Sequence, residues 1–555
     1  MLALATSAGI LLYLFLVFGV FFSKVFRIKP DPVNQLFLGL VAVNSISTIA
    51  SLIVPVNIKL LAVILLTSIF LLLFIRKEIK AVMKSFIQDR TILFLFFPFI
   101  IYAFLISLGP PRNYDSGLYH IQTIKWIESY PVVPGLANLH SRFGFNSNVF
   151  TLFSLTSLSD LFGQEVFAVN FVIFSLLIYY FVKRLHSTFL RSSINNLFLF
   201  NLLIFISIIT GTRFISSPDP DYIVINLIIY ILSRLFESEE PLNEASIDWF
   251  FPLLIVTIYT ITVKFTVLPL ILAFLIIYIR LHIPFKKTII LAGLISVIIL
   301  PWILRYIILT GWFIYPLSSI DLFNFDWKVP CTILENERLS IIGWARIPGE
   351  GWSKAAVMGI QEWVPIWWNN HTTIDHLKLI ASFFFPVLTL ALSFFRKAKL
   401  QFVQISALFT VIVCLAYWFI MAPDFRFGSG YVLMALLCPL IYLKFFVNTT
   451  WSPLFKPEYV MNIIVLLILL NFIIRNTGKG FVSGSVHRLL KPQEIEIPEG
   501  HSFTTYEKGG IKFSVPDGTN DQCFDICIPC TPYLNGNLEL RNNSLEGGFR
   551  VRLKE

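Results

Sequence analysis

Asp115 lies in the polar stretch GPPRNYDSGLYH, between two apolar runs, where a carboxylate can take a proton from a hydroxyl. Pro110 and Pro111 stop the preceding helix, and Asp115 can cap the next. Leu118, Ile121, Ile124 and Ile127 then recur every third residue, which predicts a helix along the membrane surface. Its apolar face would meet lipid or neighbouring helices and leave Asp115, Tyr119, Gln122 and His120 towards a cavity. A second acidic position, Asp219 and Asp221 in RFISSPDPDYIV, sits in a proline-fixed turn. Arg112, Arg142, Arg213, Lys264, Arg305, Arg346 and Arg426 supply cations that suit an anionic ligand. Lys264, in ITVKFTVLP, stands between apolar segments, where a lysine is costly unless paired, hydrated or functional. Purely structural accounts compete: capping by Asp115 or Asp221, snorkelling of Lys264, and a local pair between Arg426 and Asp424.

The elements that must position these residues are membrane helices. Of 555 residues, 56% are apolar and 14% charged, and 56 are Phe. With a mean hydropathy of +0.76, this composition excludes a water-soluble fold. The net charge of +10 does not indicate nucleic acid, because the Lys and Arg residues sit in short clusters between apolar runs.

Apolar runs predict about 14 spans. They begin near Leu4, Gln35, Leu60, Ile92, Val166, Leu197, Tyr222, Trp249, Phe265, Ile289, Leu377, Phe402, Tyr431 and Tyr459. Basic clusters fall in the odd-numbered connections, including Lys24 to Lys29, Arg76 to Arg90, Lys183 to Arg191, Arg280 to Lys287 and Arg396 to Lys399. By the positive-inside rule those connections are cytoplasmic, so both termini and the even-numbered loops share the outer face. The apolar stretch 148–163 would break this parity as a span and is expected to be a helix within or beside the first loop. The expected division is residues 1–91 as N-terminal helices and 92–475 as a transmembrane core with outer loops 109–165 and 310–375, followed by 476–555 as a small β-rich outer domain.

The strand-like pieces GIKFSV and GFRVRL support that last assignment. On an oxidising face, Cys523 can pair with Cys530 or with Cys527 and staple the domain. Zinc is the competing account for these cysteines, disfavoured because no His lies nearby. The tryptophans of the loop 310–375 suit either sugar stacking or an interfacial belt.

The arrangement resembles the GT-C superfamily of membrane glycosyltransferases over most of Leu93 to Val447. Asp115 in NYDSGLYH matches the acidic residue that these enzymes carry on a surface helix of an early outer loop. Asp219 or Asp221 matches the second acidic position, APDFRF resembles the outer-facing proline-arginine motif near the last spans, and RYIILTGWFIYP is similar to a helix-to-loop junction. Asp115 lacks the adjoining second acid of the O-mannosyltransferases, and the tail with PCTPY looks like that of uncharacterised bacterial polytopic proteins.

The resemblance implies an inverting transfer of a sugar from a polyprenyl-phosphate donor to a glycan, lipid or protein acceptor, at the outer face of a bacterial cytoplasmic membrane. Asp115 would be the base, Lys264, Arg305 and Arg426 the donor-phosphate partners, and Arg112, Tyr119, His120 and Arg213 further cavity residues. Asp219 and Asp221 offer oxygen ligands for a divalent cation beside Asp115, although no metal ligand set is assigned. A polysaccharide polymerase or ligase is the nearest alternative. A transporter or flippase of lipid-linked sugars is another, with little support because the charges lie at helix ends and no internal repeat is evident.

Overall fold

The computed structural model describes residues 1–190, 196–238, 242–243, 246–349, 351–395, 400–442 and 500–552, with isolated positions between 463 and 497. The span expected near Tyr459, the basic residues Arg191, Arg396, Lys397 and Lys399, and most of the stretch from Asn476 to Pro498 lie outside the described residues.

Among the described residues, nine helices are long and apolar enough to cross a membrane. They are Leu2–Val25, Pro32–Ala50, Ile58–Ile87, Arg90–Ser107, Val169–Thr188, Asn196–Phe214, Phe285–Thr310, Thr373–Ser393 and Phe402–Met421. Ile247–Val263, Phe265–Leu281 and Phe425–Ile441 are shorter apolar helices, and Pro220–Phe236 packs among them. The chain is thus an integral membrane protein, multi-pass and predominantly helical.

Side-chain caps set several helix starts. Asp31 accepts a bond from the Asn34 amide at 2.8 Å, and Asp89 accepts from the amides of Thr91 and Ile92 at 3.0 and 3.3 Å. The first two helices cross very closely, because a Cβ at Gly19 would lie 1.7 Å from the Gln35 carbonyl oxygen and one at Gly39 would lie 1.8 Å from that of Phe15. Without a hydrophobic drive between helices in lipid, this close backbone approach gives the pair its packing contact.

The segment 148–163 folds as two short helices, Phe150–Leu155 and Ser159–Phe162. Residues 148–158 are buried among the longer helices. Polar side chains fix this segment. The Asn44 amide donates to the Asn148 carbonyl at 2.9 Å and to Thr151 Oγ1 at 2.7 Å, and Tyr259 donates to Asn44 Oδ1 at 2.8 Å. Asn148 in turn donates to Thr262 Oγ1 at 3.1 Å. Each buried polar group thereby finds a partner where water cannot supply one.

Two boundaries differ from expectation. The helix expected near Tyr431 begins at Phe425, because Asp424 caps it by accepting from the Arg426 amide at 2.8 Å. The loop 310–375 contains the helices Cys331–Arg346, Trp352–Val357 and Ile360–Asn369. Trp363 and Trp367 of the last are buried and pack on Phe419, and Trp367 Nε1 donates to the Pro423 carbonyl at 2.8 Å. These two rings therefore serve packing and are removed from the sugar-stacking candidates.

The tail carries two antiparallel strand pairs, Phe503–Lys508 with Ile511–Pro516 and Leu538–Leu540 with Phe549–Val551. A disulfide joins Cys523 to Cys530, and Cys527 is free and exposed. The tail docks on the loop that carries Asp115. The Phe524 amide donates to the Gly117 carbonyl at 2.9 Å, and Gln122 donates to the carbonyls of Phe524 and Ile526 at 3.2 and 2.7 Å. A second seam joins the Phe549 amide to the Pro134 carbonyl at 3.0 Å. Gly135, at φ +64°, and Gly548, at φ +91°, allow it, since a Cβ on either would collide with the opposite backbone.

Candidate functional site

The residue Asp115 is presented by a π-helical turn, Ser116–His120, that runs into the helix Ile121–Ser129. The Asp115 amide donates to Asn113 Oδ1 at 3.0 Å, and its carboxylate makes no cap bond to the helix. The side chain is therefore left to other partners, and capping alone does not account for it. Arg142 donates to Oδ1 at 3.2 Å and Arg426 donates to Oδ2 at 3.2 Å. Arg142 comes from the short 3-10 turn Ser141–Gly144 in the same loop, whereas Arg426 comes from the first turn of the helix that begins at Phe425.

Arg426 also reaches the second acid, with its Nε 3.4 Å from Asp221 Oδ2. The local account, a pair with Asp424, describes only its backbone amide; the guanidinium bridges Asp115 and Asp221. Lys264 donates to Asp221 Oδ1. It is delivered by a break in the bundle: the helix Ile247–Val263 ends at Lys264, which is extended, and the 3-10 stretch Phe265–Leu270 follows with Pro269 inside. Lys264 Nζ lies 3.6 Å above the Phe427 ring and the Arg426 guanidinium 4.8 Å from it, so this aromatic face holds both cations near one carboxylate.

Asp219 and Asp221 part company. Asp219 is buried and caps the helix Pro220–Phe236 by accepting from the Asp221 amide at 2.9 Å. Burial and the neighbouring Asp221 charge push its carboxyl up to about 7. Asp221, one helical position beyond the proline, points into the cation cluster. The carboxylates of Asp115 and Asp221 are met by Arg and Lys donors, an arrangement that does not suit a divalent cation. Among the described residues, no group of three or more His, Cys, Asp or Glu is placed to hold a metal.

Burial by itself would raise the Asp115 carboxyl, but surrounding positive charge holds it below its ordinary value. The adjacent His120 leads those charges once it is protonated, but burial drives its own value down to about 4, so at neutral pH it supplies none. Arg426, Arg142 and Lys264 supply it there. His120 packs against Phe150, its ring centroid 5.3 Å away, and is buried instead of facing a cavity. Tyr119 is 5.9 Å from the Arg142 guanidinium, at the margin of the cluster.

Arg305 does not join them. Its Nε donates to Asn146 Oδ1 at 3.0 Å and its Nη1 to the Ser51 hydroxyl at 2.6 Å, and it lines a separate cavity on another side of the surface helix. Its position on the inner face of the helix Phe285–Thr310 turns it towards the end of the second helix. Arg346 is used up on the carbonyls of Ala355, Ala356 and Met358. Arg213 lies over Phe214, and the Arg112 amide donates to Ser217 Oγ, so neither is brought to Asp115 by a direct contact of that kind. One member escaped the sequence reading: Glu337, 3.6 Å from Arg142 Nε and accepting from Ser141 Oγ at 2.6 Å. It comes from the helix Cys331–Arg346 of the long loop, where it stands in one turn with Glu335 and Arg338, so its letter alone does not set it apart from them.

Comparison with curated proteins finds no match, and neither does comparison with solved structures. A family model described as a domain of unknown function, DUF8201, matches residues 1–433, a span that includes all of Asp115, Arg142, Asp221, Lys264, Glu337 and Arg426. The protein therefore belongs to the DUF8201 family.

Proposed function

We propose that this protein is a GT-C-like membrane glycosyltransferase of about 14 spans, moving a sugar from a polyprenyl-phosphate donor to an acceptor at the outer face of a bacterial cytoplasmic membrane. The observation that carries the reading is the convergence of Asp115 and Asp221 with Arg142, Arg426 and Lys264 in one part-exposed cluster, built from four separated chain segments.

The chemistry needs a proton acceptor and a sink for negative charge. An acceptor hydroxyl attacks the anomeric carbon, the bond from that carbon to the phosphate oxygen breaks with inversion, and the hydroxyl proton passes to Asp115. Arg426 and Lys264 stabilise the charge that grows on the departing phosphate. In the resting arrangement both cations are spent on carboxylates, which keeps Asp115 ionised and a weak base. A donor phosphate that draws Arg426 and Lys264 to itself weakens their hold and raises the proton affinity of Asp115. Donor binding and base activation are thereby coupled. Arg142, anchored by Glu337, keeps the carboxylate in place.

The test is Asp115→Asn in membranes supplied with radiolabelled polyprenyl-phosphate sugars. General-base loss predicts a fall in transfer of roughly a hundredfold or more with donor binding retained. Unchanged transfer removes Asp115 from the mechanism.

A further inference from the structure

The tail grips the chain on both sides of Asp115. We infer that the tail segment 521–524 is a positioning element of the Asp115 site, holding the carboxylate between Arg142 and Arg426, and that the Cys523–Cys530 disulfide fixes the segment there. The inference concerns where the carboxylate stands and does not depend on the transfer reading.

Three hydrogen bonds make the grip. Before Asp115, the Tyr114 hydroxyl donates to Asp521 Oδ1, and Gln522 Nε2 donates to the Tyr114 carbonyl at 2.8 Å. After it, the Phe524 amide donates to the Gly117 carbonyl at 2.9 Å. A Cβ at Gly117 would lie 2.8 Å from the Phe524 ring and 2.9 Å from Gln522 Nε2, so glycine lets the tail lie this close. Between these bonds Asp115 has little hold of its own. Its carboxylate makes no cap bond, and it opens a π-helical turn, a rare winding that occurs mostly as single turns and frequently at functional sites. The side chain is therefore placed from outside the turn.

The disulfide holds the segment in turn. Residues 520–523 belong to no helix or strand, and Phe524 has φ +44°, a left-handed conformation that a bulky residue keeps only when its surroundings impose it. Cys530, by contrast, is seated on a strand: the Ser514 amide donates to the Pro529 carbonyl at 3.1 Å, and the Thr531 amide donates to the Ser514 carbonyl at 3.1 Å. The covalent bond thus ties an irregular segment to the strand Ile511–Pro516. Elsewhere the tail docks without these residues, through Phe549 on Pro134 and through Arg541, 2.8 Å from Asp326. The bonds at 521–524 add the placement of Asp115 to an attachment that exists apart from them.

The double variant Tyr114→Phe with Gln522→Ala removes both bonds before Asp115 and changes no charge, so Arg142, Arg426, Lys264 and His120 still face the carboxylate. The full chain in detergent is compared with this variant and with Arg541→Ala, which loosens the tail at its other seam. A chain with Cys523, Cys527 and Cys530 all replaced by Ser is compared with Cys527→Ser. Difference infrared spectroscopy follows the Asp115 carboxyl against pH, and hydrogen exchange follows the amides of residues 115–120. Against burial, the surrounding cations hold Asp115 low, so a carboxylate that drifts from them titrates higher, towards its ordinary value of 3.8. The double variant is expected to show that upward shift, with exchange roughly fivefold faster, the scale of one lost hydrogen bond. The triple cysteine variant should shift in the same direction relative to Cys527→Ser, and Arg541→Ala should leave the titration where wild type has it. An Asp115 titration unmoved in the double variant overturns the proposal. An equal shift in Arg541→Ala also overturns it, by making the effect one of domain docking, and an unmoved titration in the triple cysteine variant overturns the part given to the disulfide. If the triple cysteine variant does not fold, the double variant against Arg541→Ala decides alone.

Discussion

The loop bearing Asp115 and the surface helix that continues it hold two clusters of charge, and they resolve the cost of burial in opposite ways. At the N-terminal end, Arg142, Arg426 and Lys264 surround Asp115 and Asp221, and Asp115 is held ionised. Along the helix, Lys125 is the cation that meets both Glu165 and Asp525 of the docked tail, with Glu128 close by. There burial prevails: it pushes Glu165 up to about 8 against the pull of Lys125, and Glu128 up to about 7. The number of cations per acid separates a site that keeps its charge from an interface that holds protons.

The sharpest way to break this contrast is Arg426→Ala, which strips a cation from both acids of the first cluster. Transfer should fall roughly a hundredfold, as when a single transition-state donor is removed, in the same membrane assay used for Asp115→Asn. Arg426→Lys restores charge but cannot bridge two carboxylates and should recover only part of the loss.

At the second cluster the effect is one of stability and pH. The carboxyls of Glu165 and Glu128 hold protons more tightly in the docked structure than in the unfolded chain, where their ordinary value is 4.5. Between those values the folded state binds more protons, so stability is greatest below about 4.5 and declines as pH rises towards 8. Hydrogen exchange in the loop Cys523–Cys530, corrected for intrinsic rate, should be faster at pH 8.5 than at pH 6, and Lys125→Met should widen the difference. An exchange rate independent of pH contradicts the proton-linked contact. The smallest effect belongs to Glu337→Gln, which loosens Arg142 without touching Asp115 and should lower transfer about threefold, the scale of a part-buried ion pair.

These comparisons also show where the sequence was informative. Asp115, Lys264 and Arg426 were visible because charge in a polytopic chain is sparse, and each stands at a proline, a helix break or a cap that survives as such in three dimensions. Asp219 and Asp221 were indistinguishable as letters; a single proline separates them, and only the turn reveals that Asp219 is spent on the cap while Asp221 pairs with Lys264 and Arg426. Arg305 carries the same signal as Arg426, a cation near a helix end, but the face of a membrane helix that meets its neighbour is set by packing and not by hydropathy. Glu337 lay in a loop whose helical content and return towards Asp115 depend on contacts made far along the chain. The disulfide was narrowed to two pairings, and the geometry of the docked tail selects Cys523 with Cys530.

The central claim is electrostatic, and the titration of Asp115 measures it directly. Difference infrared spectroscopy of chain labelled with carbon-13 aspartate, with Asp115→Asn to assign the band, follows its carboxyl against pH. Asp115 should remain ionised below the ordinary aspartate value of 3.8 in wild type and titrate higher in Arg426→Gln. A carboxyl that titrates at or above the ordinary value in wild type, and does not move when Arg426 is replaced, contradicts the account.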